Sequence, residues 1–268
     1  MRKMIEVVDL ARSFGPHKAV DGITFDVDPG EVFGLVGPNG AGKTTTIRML
    51  TTLLRPTSGR GVIGGYDILR EDREVRRLIG YVPQMLSVDG ALTGYENLLF
   101  FARLYDVPSK ECHERIREML SLLDLEHAAN SLVKTYSGGM IRRLEIGQAM
   151  LHHPRVLFLD EPTVGLDPVA RRNVWDHVKS LRASYNTTIL VTTHYMDEVE
   201  SVCDRLAIMH LGKISAIGTS EELKRQVGRD DATLEDAFAH FTGATMETGG
   251  TSRACLWTSV SWFSRAWS

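Results

Sequence analysis

The chain has 268 residues, 43% of them hydrophobic and 24% charged, with a formal net charge of -3. That length can bury one large core or two unequal lobes, and the mildly acidic balance argues against a general binder of nucleic acid or anionic membranes, local patches aside. Cys112, Cys203 and Cys255 are scattered without a C-x-x-C pair, which suits a reducing compartment and gives neither a disulfide framework nor a zinc site. No apolar run approaches the roughly 18 residues that cross a bilayer, and no signal-peptide core follows Met1 to Met4. Composition therefore predicts a cytosolic protein, held by something else if it works at a membrane.

The first strands are expected as an antiparallel set over residues about 4 to 36, with Ile5 and Val7, then Ile23, Phe25 and Val27 at period two. Pro29-Gly30 turns the chain into an apolar run at 31–36 that reads as a buried strand. Beyond a glycine-rich loop, Ile47, Leu50, Leu53 and Leu54 recur at helical spacing until Arg55-Pro56 stops the helix. A short strand follows at Val62-Ile63, then a charged surface helix from Glu71 to Leu78, then a strand at 79–82 that ends at Pro83-Gln84. From about 92 to 152 the pattern is helical throughout: Leu98, Leu99, Ala102 and Tyr105 share one face, and Ile116, Leu120 and Leu123 another. Strand signals return at 156–159 and 188–191, separated by a helix from Pro168 to about Ser184. A helix near Tyr195, a hairpin about Gly212 and a capping box at Thr219 to Glu222 close the pattern. Strands alternating with helices predict an α/β fold with a mainly parallel sheet, preceded by antiparallel strands and interrupted by an all-helical insertion.

The most informative loop is Gly37-Pro38-Asn39-Gly40-Ala41-Gly42-Lys43-Thr44, a G-x-x-x-x-G-K-T pattern between a strand and a helix that carries on into Thr45. In that setting the glycines let backbone N–H groups converge on phosphate oxygens, and the helix start adds a partial positive charge. Lys43 would reach the β- and γ-phosphates, and the Thr44 hydroxyl would hold Mg²⁺. The apolar strand ending in Asp160-Glu161 places two carboxylates at the carboxyl edge of the same sheet. Asp160 would support Mg²⁺ and Glu161 would take the proton of an attacking water. His194 ends a further buried strand on that edge and reads as a γ-phosphate contact or as a structural histidine. Ser137-Gly138-Gly139 opens a helix; Ser137 fits an N-cap, but a cap alone leaves the two glycines unaccounted for, whereas backbone approach to an anion explains them.

Lys43, Gln84, Ser137-Gly138-Gly139, Asp160-Glu161, Asp167 and His194 follow one another in an order and spacing that resembles the ATP-binding subunit of an ABC transporter, over about residues 4 to 242. The Tyr136-to-Met140 signature and the late segment Thr233 to Phe238 are similar to the daunorubicin-resistance type of export ATPases. The resemblance implies a P-loop NTPase core at 1–242, with its helical part at about 85–155, and a poorly ordered tail at 243–268. It implies that Phe14 stacks on adenine, that Gln84 contacts Mg²⁺ and links the lobes, and that Ser137 to Gly139 cap an ATP held by the opposite subunit. Asp167 would belong to the cross-dimer loop, and it also fits an ordinary N-cap followed by proline. ATP and Mg²⁺ are the implied cofactors. A homodimer closing on two ATP molecules, at the cytoplasmic face of the membrane, would drive separate transmembrane permease subunits docked on the helical insertion, with no nucleic acid expected. The signature departs from the common Leu-Ser-Gly-Gly-Gln at Tyr136 and Met140, which puts a side-chain contact from position 140 in doubt.

Two alternative functions are weaker. A soluble ABC ATPase of nucleic acid or ribosomes would need a long coiled coil between Gln84 and Ser137, a basic stripe or a second cassette. A nucleotide sensor without turnover is disfavoured by Glu161. The arginines between Arg70 and Arg77 interleave with acids as on a solvated helix face. The tail places Trp257, Trp262 and Trp267 outside any periodic pattern. It reads as a disordered end, with a membrane-surface contact or an altered reading frame as further readings.

Overall fold

A computed structural model of the chain describes residues 2–229 and 231–243; the tail expected after Gly243, with its tryptophans and Cys255, lies outside the described residues. The first third of the chain forms β1 (Ile5–Phe14), β2 (His17–Val27), β3 (Val32–Val36), α1 (Lys43–Leu50), β4 (Ser58–Ile63), β5 (Tyr66–Asp67), α2 (Asp72–Leu78) and β6 (Ile79–Val82). The middle is helical, with α3 (Gly94–Leu104), α4 (Ser109–Leu122) and α5 (Gly138–Met150). Then come β7 (Val156–Asp160), α6 (Pro168–Tyr185), β8 (Thr188–Thr193), α7 (Met196–Val202), β9 (Arg205–His210), β10 (Lys213–Gly218), α8 (Ser220–Arg225) and α9 (Leu234–Thr242).

Two sheets result. The antiparallel sheet has the order β2-β1-β4-β5, and the larger sheet runs β10-β9-β3-β8-β7-β6, parallel from β9 to β6 with β10 antiparallel at one edge. Successive side chains of a strand point to opposite faces, and the large sheet is apolar on both. From β7, Val156 and Phe158 join Ile47, Met49 and Leu50 of α1 and the inner face of the antiparallel sheet. Leu157 and Leu159 instead meet Leu144 and Met150 of α5 and Val174 and Val178 of α6. Phe25 of β2 stacks on Phe33 of β3 at 5.3 Å, tying the two sheets together around α1. The C-terminal helices bury Val199, Leu223 and Phe238 against Val36 and Ile208 at the other end of the large sheet. Between β6 and β7 the described residues form helices and short 3-10 turns, joined by one isolated bridge, Thr93 to Leu132. In that stretch Leu98, Ala102, Ile116, Leu120 and Leu123 are buried, as the helical spacing predicts.

Three details differ from the sequence reading. The helix after the glycine loop ends at Leu50 rather than running to Leu54: Thr52 takes φ 64°, and the Leu54 amide turns back to the Arg48 carbonyl at 2.9 Å. Leu53 consequently leaves the buried face and is 64% exposed. β1 extends to Phe14 although its alternation breaks after Val7, because register shifts and a left-handed Asp9 (φ 48°) interrupt it. The two-residue strand β5 went unread; it is too short to show a period.

The boundary of α1 has a measurable consequence. Leu50→Ala opens a cavity between the sheets and should cost about 2–5 kcal/mol, whereas Leu53→Ala should stay within about 0.5 kcal/mol. Urea unfolding of the two variants checks this, and equal costs would contradict a helix that ends at Leu50.

Candidate active site

The carboxyl ends of β3, β6, β7 and β8 lie side by side, and Lys43, Gln84, Asp160, Glu161 and His194 come together there because the parallel register aligns Val36 with Thr193 and Asp160 with Thr192. The loop after β3 passes close to its neighbours. A Cβ on Gly37 would stand 2.1 Å from the Met209 carbonyl oxygen, and one on Gly42 would stand 2.5 Å from that of Ala19. Gly42, at φ 106°, is the N-cap of α1, and no side chain caps that helix start. The first turn thus presents backbone donors to the cleft rather than to a side-chain oxygen.

Lys43 and Glu161 form the centre. Lys43 Nζ donates to the Gly37 carbonyl at 2.8 Å and to that of Pro38 at 3.1 Å. It lies 3.1 Å from Glu161 Oε1, and both side chains are almost fully buried. The other carboxylate oxygen of Glu161 accepts from Gln84 Nε2 at 3.3 Å and faces His194 Nδ1 at 3.5 Å. Glu161 takes φ 48°, a left-handed conformation uncommon for a residue with a Cβ. Asp160, 1% exposed, accepts from Thr44 Oγ1 at 3.0 Å and from Thr192 Oγ1 at 2.7 Å. Burial raises its carboxyl above the ordinary range, and the two hydroxyls pull against that rise.

Gln84 and Glu161 line one wall of a cleft of about 520 Å³ whose other side is formed by Phe14, His17 and Ala19, with Asn39 to Thr45 as its floor; Asp160 and His194 sit behind that wall, against Thr44 and Glu161. Phe14 is half exposed, and the Arg12 guanidinium covers one face of its ring at 4.6 Å. A cleft with an aromatic rim at one end, and a lysine and open helix start at the other, matches a flat base joined to a polyphosphate. The donor set also suits a hard cation shared with phosphate oxygens: Thr44 and Gln84 line the cleft and the Thr44 hydroxyl meets the Asp160 carboxylate, and Mg²⁺ is usually held by one or two carboxylates plus phosphate.

Ser137, Gly138, Gly139 and Asp167 do not line this cleft. Ser137 caps α5 by accepting from the Met140 amide at 3.3 Å, and its helix start is exposed. Asp167 caps α6, accepting from the amides of Val169 and Ala170 at 3.0 Å. The glycines have a reason that the sequence reading missed. A Cβ on Gly138 would meet Leu166 at 3.2 Å, and one on Gly139 would meet Ala170 at 3.1 Å. Close packing against the α6 start therefore favours small residues there even without an anion, which corrects the view that only an anion accounts for the pair.

Several polar groups that sequence patterns did not single out support the site. On α5, Arg142 donates to the carbonyls of Pro83 and Gln84 at 2.8 and 3.1 Å, while Glu145 accepts from the Ser87 hydroxyl at 3.0 Å. The two side chains pair at 3.0 Å and are buried; burial pushes the Arg142 guanidinium down and the Glu145 carboxyl up. Glu198 of α7 accepts from Thr163 at 2.7 Å and from Thr193 at 3.2 Å, joining the chain beyond Glu161 to the strand that carries His194. Arg171 donates to the Leu166 carbonyl at 3.0 Å and lies over the Tyr195 ring at 4.1 Å. The i, i+3 spacing of Arg142 and Glu145 on α5 was the one available signal for the pair, and Arg143 and Gln148 on the same helix blur it.

Known proteins place the chain in a family. Residues 20–164 match the family described as ABC transporter. The chain is 41% identical to the daunorubicin resistance ATP-binding protein DrrA3 of Streptomyces coeruleorubidus, over 91% of this chain and 80% of that protein. It is 46% identical to the daunorubicin/doxorubicin resistance ATP-binding protein DrrA of Streptomyces peucetius over 84% of this chain and 68% of that one. The linearmycin resistance ATP-binding protein LnrL of Bacillus subtilis is 41% identical, across 85% of this chain and 73% of its own length. A solved ATP-binding subunit of an ABC transporter superposes with a TM-score of 0.79 at 32% identity, covering 89% of this chain and 99% of that structure. On these grounds the chain belongs to the ABC transporter family, as an ATP-binding subunit that hydrolyses ATP.

Proposed function

We propose that this subunit powers an exporter: it hydrolyses Mg²⁺-bound ATP as a homodimer at the cytoplasmic face of the membrane and drives efflux of a drug-like or lipid-like substrate through separate permease subunits. The observation that carries the reading is the Glu161 carboxylate, set between Lys43, Gln84 and His194 in the wall of the cleft. Lys43 holds the β- and γ-phosphates and, once engaged there, leaves the Glu161 carboxylate to accept the proton of the attacking water. Gln84 and His194 bracket that water and the γ-phosphate. Asp160, Thr44 and Gln84 would hold Mg²⁺, which neutralises charge on the phosphate oxygens. Phe14 stacks on the base, while the loop from Gly37 to Thr45 wraps the phosphates through its backbone donors.

The dimer follows from the two separated groups. The cleft leaves the γ-phosphate accessible, and the Ser137-Gly138-Gly139 helix start, exposed and outside the cleft, suits the phosphate of a second copy. Asp167 sits beside that start and would cross the same interface. The domain division into a cassette at 1–242, with a helical part at about 85–155, follows the same reading.

Two features support the membrane partner. Among the described residues no helix is long and apolar enough to cross a bilayer. Beside Gln84, Met85 and Leu86 are exposed, as are Phe100 and Leu104 of α3, and apolar side chains so presented mark a protein-binding face. The names of the relatives point to resistance against daunorubicin, doxorubicin and linearmycin, bulky organic compounds that a drug-like export substrate would resemble.

Glu161→Gln should lower the ATPase rate by about 10²–10⁴-fold while ATP still binds, and size-exclusion chromatography with ATP should show a stable dimer. A variant that keeps the parent rate, or stays monomeric with ATP bound, would contradict the mechanism. Phe100→Asp with Leu104→Asp should leave the melting temperature within a few degrees, since both side chains are solvent-exposed. Those changes should abolish co-purification with the membrane subunits that the parent brings down; undiminished co-purification would move the docking face elsewhere.

A further inference from the structure

We infer that Thr192 is a positioning residue for both carboxylates of the site, its single hydroxyl donating to Asp160 while accepting the backbone N–H of Glu161. The inference rests on the proposed ATPase site and adds to it a residue outside its motifs. In the parallel pairing of β7 and β8, Thr192 stands opposite Asp160. A threonine hydroxyl has one proton to give and lone pairs to receive, and here both capacities are used. Thr192 Oγ1 lies 2.7 Å from Asp160 Oδ1, and the Glu161 amide reaches Oγ1 at 3.0 Å and the Thr192 carbonyl at 3.1 Å.

Each contact settles something that the carboxylates cannot settle alone. Asp160 Oδ1 also takes the Thr44 hydroxyl, so donors from two sides fix the turn of that carboxylate about its last bond. Glu161 occupies a left-handed backbone conformation at φ 48°, which a residue bearing a Cβ keeps only where its surroundings hold it. The doubly accepted amide is that hold, and it aims the Glu161 side chain at Lys43, Gln84 and His194. Thr192 itself is fully buried, so the hydroxyl has no water to turn to instead.

The test compares parent, Thr192→Val, which keeps the shape and removes the hydroxyl, and Thr192→Ser, which keeps the hydroxyl. Three quantities are measured: melting temperature, affinity for a fluorescent ATP analogue in EDTA, and kcat with KM for ATP. Losing a hydrogen bond to a charged group predicts a fall of about ten- to hundred-fold in kcat for Thr192→Val. KM and the affinity in EDTA should stay within about twofold, and Thr192→Ser should recover most of the rate. A Thr192→Val protein with the parent's kcat overturns the inference while leaving the ATPase reading intact. So does a loss that serine fails to restore, or one shared equally by kcat and analogue affinity. Thr192→Ala carries the same comparison should the valine variant not fold. A parent that binds ATP without turnover overturns the proposed function, and this inference with it.

Discussion

The buried pair of Lys43 and Glu161 is the constraint that the rest of the structure satisfies. An ammonium and a carboxylate 3.1 Å apart, with side chains only 4% and 5% exposed, cost several kcal/mol each to remove from water. The attraction between them offsets that cost only if their remaining donors and acceptors are also met. They are met by the loop carbonyls of Gly37 and Pro38 and by the Gln84 amide, while the edge of His194 faces the carboxylate at 3.5 Å. These groups lie just beyond the carboxyl ends of three strands, β3, β6 and β8, with Glu161 itself after β7. An antiparallel arrangement would send half of those ends to the far side. The parallel order of the large sheet is therefore the condition for assembling this set of charges, and the apolar packing on both faces is what keeps that sheet in register.

A second buried pair extends the first. Arg142 and Glu145 project from α5: the guanidinium donates to the carbonyls of Pro83 and Gln84, and the carboxylate accepts from the Ser87 amide and hydroxyl. Gln84 thus has two attachments of opposite kind: its side-chain amide meets Glu161 in the cleft, while its carbonyl is held by the helix that Ser137 caps. Removing Arg142 would strand Glu145 in a region where burial already disfavours its charge. The segment between β6 and α3 is exposed over 84–87, yet its backbone is tied down by charged groups rather than by packing. Such a segment can follow α5 as a unit, because charge-assisted hydrogen bonds hold specific atoms at specific distances.

Much of the fold was legible in the sequence because its signals are local. Runs such as 156–159 and 188–191 are too short and too apolar for an exposed helix, and turn residues bound them; each became a buried strand. The Thr219 capping box formed as written, and the structure adds a second at Thr233 that the sequence reading missed. The loop ending in Lys43 and Thr44 and the Asp160-Glu161 pair could be read together because each follows a strand of the same sheet. What stayed hidden depends on pairings that no single stretch encodes. Thr192 looks like any β-branched strand residue until its register against Asp160 is known, and Arg142 looks like a surface arginine until Gln84 is laid against it. The α1 boundary misled for a similar reason: Leu53 keeps the helical period, but the chain reverses at Thr52 before that period can matter.

The glycines at 138 and 139 show how one spot can answer two demands. They let α5 begin close against Leu166 and Ala170, so the start of that helix and the segment bearing Asp167 cannot separate or slide without losing packing. Leu166 is in turn held through its carbonyl by Arg171, whose guanidinium rests on Tyr195, next to His194. A short run of contacts thereby joins the exposed face around Ser137 and Asp167 to the cleft where Glu161 sits. Packed interiors shift between discrete arrangements rather than deforming smoothly. A body seated on that outer face would therefore meet the cleft through a few stiff contacts, and the tight approach of Leu166 and Ala170 favours small residues at 138 and 139 whether or not an anion also binds there.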